Sequence, residues 1–310
     1  MKQRIITPLD GSARAEAILP HAAALARATG SDIVLLQIVA VEQAHALLTD
    51  MAAVHAPTRA NLERALTLLA EQTLAQHAHM LRAMGIGASY EVAIGEEAAT
   101  AILARGDPGT TLAIALATHG AGDACHLPHG TTASRIIHDA RVPLLILPTA
   151  KPSRPMGAVS YRIALVLVDE VDFMTRDLQP LWRIARAIDG TIVLAVARQP
   201  HDSSTAPALD ESLSDAAHRL CDAGATVHTR VLTGSAATLA RSACAEERAD
   251  LLLLPLHSDR ERRWFSAIAN DVLRRTGLPA LLVPIPEQPR ASDASRHQQQ
   301  TLVSGSLARS

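Results

Sequence analysis

Aromatic residues are almost missing from this sequence. Tyr90, Tyr161, Phe173, Trp182, Trp264 and Phe265 make up 2% of its 310 residues, so the interior must be built from Ala, Leu, Ile and Val. Single-stranded nucleic acid binds on exposed aromatic platforms, and this composition has none to spare. Lysine occurs only at Lys2 and Lys151, and a net charge of -2 comes without any long basic block. Both features speak against a nucleic-acid or anionic-membrane partner. Cysteine is scarce: Cys125, Cys221 and Cys244 are odd in number and far apart, so no disulfide framework is expected. No apolar run reaches the roughly 20 residues that span a bilayer. The opening "MKQRIITPLDGS" carries charge and a turn, so no secretory leader is expected. The expected setting is cytoplasmic.

What is present is an aliphatic, globular composition, with 48% hydrophobic and 19% charged residues. The length suggests two domains. "RIITPL" reads as a strand and "SARAEAILPHAAALARATG" as a helix stopped by Gly30. "DIVLLQIV" is the next strand. Leu62, Leu66, Leu69, Thr73, His77 and Met80 then keep helical spacing until Gly85. "ASYEVAI", "EEAATAILARG" and "TTLAIALA" continue the alternation, a helix is expected from about Thr131, and "VPLLILP" is a fifth strand. Apolar strands separated by helices predict a parallel sheet covered on both faces.

The pattern then recurs. "TAKPSRPMGAVS" reads as a linker. "RIALVLVDEVD" resembles "RIITPLDGSAR", "GTIVLAVA" resembles "SDIVLLQIV", and "LPALLVP" resembles "VPLLILP". The expected organisation is therefore a first domain over 1–149, a linker over 150–160, a second domain over 161–286 and a disordered tail over 287–310. Each domain is expected to be a five-stranded parallel sheet with helices on both faces. The two fifth strands are apolar edges and are expected to pair within the chain as a built-in pseudo-dimer, with a further dimer of chains open.

The segment "ALATHGAGDACHLPHGTTASRIIHDA" follows the fourth strand. In an open parallel sheet this is where ligands sit, beyond the strands' carboxyl ends. Gly120 and Gly130 allow close backbone approach, Thr131 and Thr132 add hydroxyls, and a helix start offers unpaired N–H groups to an anion. These parts make a phosphate cradle without lysine. No GxxxxGK[ST], GxGxxG or GxSxG motif accompanies it. His119, Cys125, His126 and His129 crowd the same loop, but their spacing matches no standard zinc pattern. His77 and His79 read as partly exposed helix positions. The loop carries no Lys or Arg, so any phosphoryl transfer is expected to be slow.

Ala117-Thr118-His119-Gly120, nine further residues and then Gly130-Thr131 resemble the G-x2-G-x9-G-[ST] phosphate loop of the universal stress proteins, with Ala117 in place of the first glycine. The opening "ITPLDGS" is similar to that family's first strand and turn. The resemblance covers residues 3–148 and 161–285. It implies two tandem flavodoxin-like (Rossmann-like) domains. It also implies ATP, ADP or AMP, with or without magnesium, bound in the first domain: Pro8, Leu9 and Asp10 at the adenosine, Ile38 at the base, and Ala117, His119, Gly120, Gly130, Thr131 and Thr132 around the phosphates. In the second domain Pro255, Ser258 and Ile268-Ala269 stand in the loop's place, so no cradle is expected there; Arg260, Arg262 and Arg263 read as a solvated charged loop. Three functions stay open: a non-enzymatic adenine-nucleotide sensor acting on an unknown protein partner, a nucleotide-free interaction or scaffold protein, and a very weak ATPase with Asp10 as base.

Overall fold

The computed structural model describes residues 2–42, 45–46, 58–95, 97–118, 132–148, 159–169, 173–174, 177–198, 206–222, 224–234, 236–256 and 276–285. All but the last two residues of the expected linker, the tail and most of the loop after the fourth strand lie outside them.

The first repeat runs β1 (Arg4–Leu9), α1 (Ala13–Glu16), α2 (Leu19–Thr29), β2 (Asp32–Val39), α3 (Arg59–Ala83), β3 (Ala88–Ile94), α4 (Ala98–Ala104), β4 (Thr111–Thr118), α5 (Thr132–Asp139) and β5 (Leu144–Pro148). The second runs β6 (Ile163–Asp169), α6 (Gln179–Ala185), β7 (Thr191–Arg198), α7 (Ala206–Cys221), β8 (Thr226–Thr233), α8 (Ala236–Glu246), β9 (Leu251–Leu256) and β10 (Ala280–Pro284).

One sequence reading needs correction. The single helix expected up to Gly30 is two, because the chain breaks at Ala17 and Ile18. Pro20 is the cause. Its ring clashes with the carbonyl of the residue four earlier, which is Glu16, the last residue of α1. The proline then sits in the first turn of α2, where its missing N–H costs nothing. Gly30 ends α2 at φ 66.

All ten strands form one sheet in the order β3-β2-β1-β4-β5-β10-β9-β6-β7-β8. Within each half every pairing is parallel. The halves join where β5 meets β10 antiparallel, with Leu145 opposite Leu281. The two apolar fifth strands thus cover each other's edges, as expected. Apolar clusters lie on both faces and run through the join: Leu145, Leu281 and Val283 on one, Leu144, Ile146 and Leu282 on the other. Tyr161, at the entry to the second repeat, is buried and its hydroxyl lies 3.2 Å from Nδ1 of His21 on α2. Burial pushes the Tyr161 phenol far above its ordinary pKa.

Candidate functional site

The chain leaves β1 toward β2 and β3 on one side and returns to β4 and β5 on the other, so strand order reverses between β1 and β4. That reversal is where an open parallel sheet forms a crevice. The ladder between the two strands carries it out: it registers Arg4 with Thr111, Ile5 with Ala113 and Ile6 with Ile114, and goes no further. Thr7, Pro8 and Leu9 and their counterparts in β4 diverge as a fork. Pro8 has no N–H with which to extend the ladder.

Around this fork the expected residues fall into three groups. Pro8, Leu9 and Asp10 form one prong and its tip. Asp10 is exposed; its Oδ1 accepts from the Ser12 amide at 2.9 Å, and Ser12 Oγ accepts from the Ala15 amide at 3.1 Å. The carboxylate is therefore engaged in shaping the turn into α1. Ala117 and Thr118 end the other prong, beside Leu147 and Pro148 of β5. Ile38 is the penultimate residue of β2, one past Gln37, which is registered with Leu9. Thr132 begins α5. His119, Gly120, Gly130 and Thr131 lie outside the described residues, as do Cys125, His126 and His129. Among the described residues no group of three or more His, Cys, Asp and Glu could hold a metal ion. His77 is largely buried and its Nε2 lies 3.2 Å from Glu16 Oε1; His79 is exposed.

The start of α5 is held from the side. Glu97 caps α4, accepting from the amides of Ala99 (3.1 Å) and Thr100 (2.9 Å) and from the Thr100 hydroxyl (2.6 Å). Arg135 of α5 donates to the same carboxylate at 2.7 Å and to the Thr100 hydroxyl at 3.1 Å. The Thr100 hydroxyl and amide, then the Ala99 amide and the Arg135 charge, lower the Glu97 pKa to about 2. This clamp docks α5 on α4.

The second repeat serves as an internal control. Its β6–β9 ladder also stops early, after Val166 and Leu253, so the fork belongs to the fold. Its lining differs. Aligning the two ladders matches Thr7 to Val166, Gln37 to Val196 and Thr118 to Leu256. The second-repeat residues are apolar and at most 2% exposed. In the first repeat the Thr7 hydroxyl and the Gln37 carbonyl oxygen are buried with no partner among the described residues. Gln37 leans over the β1–α1 turn, its Nε2 3.6 Å from where a Cβ on Gly11 would stand. Sequence reasoning missed Thr7 and Gln37. Their signal was one polar residue inside an otherwise apolar strand, present in one repeat and absent from the other.

A doubly covered parallel sheet with a polar fork at its switch point defines a flavodoxin-like α/β protein, and that switch point is its candidate site. Residues 1–148 match the model of the universal stress protein family. No curated protein matches the chain in sequence. Among solved structures, it is similar to a universal stress protein from Archaeoglobus fulgidus DSM 4304 (16% identity, TM-score 0.67, 92% of this chain and 97% of that one). It is also similar to a putative universal stress protein from Pseudomonas aeruginosa UCBPP-PA14 (16%, 0.58, 92% and 94%). The cytoplasmic domain of a prokaryotic cation chloride cotransporter shares the fold as well (12%, 0.54, 91% and 95%). Identities this low establish architecture alone, and the third case shows that the fold does not by itself assign a ligand. No helix among the described residues is long and apolar enough to cross a membrane.

Proposed function

We propose that the first repeat binds an adenine nucleotide, ATP foremost, and acts as a non-enzymatic sensor whose occupancy a protein partner reads. The observation that carries this reading is the asymmetry between the forks: the Thr7 hydroxyl and the Gln37 carbonyl oxygen, buried without a partner among the described residues, in the first, and Val166 and Val196 in their places in the second. Buried polar atoms without partners destabilise a fold, and the place where a ligand would need them is where such atoms are tolerated. The donor set fits a nucleotide. Asp10, Ile38 and the amide of Gln37 stand at the β1–β2 side for the adenosine. Ala117 and Thr132 flank the segment whose Gly120, Gly130 and Thr131 would meet phosphate oxygens. Bound nucleotide supplies charge and binding energy that can bias one conformation over another. Asp10 is committed to its turn, which supports a positioning role over that of a general base.

Equilibrium binding of labelled ATP tests the reading. Saturable binding is expected, lost in Gly130→Val and weakened in Gln37→Val, with no change in Val196→Ala. Absence of binding at millimolar ATP refutes it and leaves a nucleotide-free interaction protein. Steady-state phosphate release that depends on magnesium and on Asp10 would instead make the site a weak ATPase.

A further inference from the structure

A second cavity lies away from both forks, on the flank of the second repeat. It is a groove of about 530 Å³ between α6 and α7, lined by Phe173, Trp182, Arg186, Asp215, Arg219 and Asp222 among others. Its volume falls in the range of small-molecule sites. Two of the chain's few aromatic residues stand in it.

The first repeat shows what this interface looks like when closed. Matching Pro20 to Pro180 places Ala22 and Ala26 of α2 at the positions of Trp182 and Arg186; those alanines are 0% and 2% exposed. Matching Gly85 to Gly224, both at positive φ, places Met80 of α3 at Arg219. The small residues let α2 nestle into the first core, whereas Trp182 stays only half-buried. Large and charged side chains at these positions hold a groove open where small ones would pack it shut.

Asp177, also in the lining, accepts from the Gln179 amide at 3.0 Å; the other four charged side chains of the groove are exposed. Arg186 Nε donates to the Trp182 carbonyl at 3.3 Å, but neither Arg186 nor Arg219 has a carboxylate partner among the described residues. Asp215 and Asp222 have no cationic partner there either. Asp215 and Arg219 lie one turn apart on α7, and Asp222 follows directly after its last residue. Facing them across the groove stand Trp182 of α6 and, four residues on, Arg186, which caps that helix. Both helices run antiparallel to the strands of the half they cover, so Arg186 and Arg219 share the lower end and Trp182 stands above them.

We infer that this groove is a second ligand site, taking a small amphoteric aromatic molecule of the aromatic α-amino acid class. Its ring lies on Trp182 and Phe173, its carboxylate meets the two guanidiniums, and its ammonium meets Asp215. A ligand carrying both charges pairs with both sets of side chains; one carrying a single charge pairs with one set and leaves the other to water.

Isothermal titration of the full chain with L-phenylalanine, 2-phenylethylamine and 3-phenylpropanoate tests this. Saturable binding of one L-phenylalanine is expected, with the amine and the acid each at least about tenfold weaker. Arg219→Met, which installs the first-repeat residue, should abolish the preference over the amine. Asp215→Asn should abolish the preference over the acid, and Gly130→Val should change nothing. Circular dichroism confirms that each variant is folded. No saturable heat at about 10 mM L-phenylalanine, where even a millimolar site would be filled, overturns the inference. So does equal binding of either fragment, or binding indifferent to both groove variants.

Discussion

Replacing Thr7 with valine should make the protein more stable. Thr7 is 0% exposed, and its hydroxyl has no hydrogen-bond partner among the described residues. Burying an unsatisfied hydroxyl costs about 1–3 kcal/mol. Valine has nearly the same shape and replaces that hydroxyl with a methyl that neighbouring Ile5 and Leu35 can pack against. The matching position of the second repeat already carries a valine, Val166, at 0% exposure. The expected gain is about 1 kcal/mol or more, which raises Tm by roughly 2–4 °C for each kcal/mol in a domain of this size. Urea unfolding should show a higher midpoint with an unchanged slope. Thr7→Ala is the control: it also removes the hydroxyl but leaves a hole, and should destabilise. If Thr7→Val instead lowers stability by about 1 kcal/mol, the hydroxyl was bonded, and the contrast drawn between the two forks is wrong.

Three further outcomes follow from the geometry. The Glu97 carboxyl is held at about 2 instead of 4.5, so its contribution is complete above 4.5 and disappears as pH falls toward 2; the stability gap between wild type and Glu97→Gln should close over that window in acid titrations followed by circular dichroism. Tyr161 is kept neutral by burial, and its contribution is lost once pH rises above the ordinary tyrosine value of about 10. Tyr161→Phe should leave the tyrosinate absorbance of the folded protein unchanged while costing about 1–3 kcal/mol in denaturant unfolding, because the ring nitrogen of His21 is left without its phenol. Gly190→Ala should destabilise by about 1–3 kcal/mol through overpacking, since its Cβ would stand 2.4 Å from the backbone carbonyl of Arg162; a change within about 0.5 kcal/mol would contradict this.

Much of the fold was legible because strand periodicity and punctuation agree. "DIVLLQIV" and "ASYEVAI" became β2 and β3 with the expected bounds, and Gly30 and Gly85 ended their helices in left-handed conformations. The break before Pro20 was also in the sequence, as a proline four residues after Glu16, but apolar periodicity on both sides masked it. The pairing of "VPLLILP" with "LPALLVP" was anticipated from their apolar edges; the absence of any gap between the two sheets was not, because register across a join depends on which edge groups face each other. At the site, glycine spacing drew attention to residues 119–131, while Thr7 and Gln37 went unnoticed. A buried polar atom without a partner is a property of three-dimensional surroundings, and only comparison of the two repeats exposes it. The clamp of Arg135 on Glu97 joins residues 38 apart, beyond the reach of local pattern.

The antiparallel β5–β10 junction has a consequence for how such a chain can change. In a symmetric pair of identical subunits every substitution is made twice, so one binding cleft cannot be given up without losing its twin. Covalent fusion lifts that constraint. One half's cleft can drift to a well-packed apolar interior, while the other keeps the costly polar pocket. Because the strands of the two halves run in opposite senses, their clefts open on opposite rims, and a molecule seated in one leaves the far rim free for a partner.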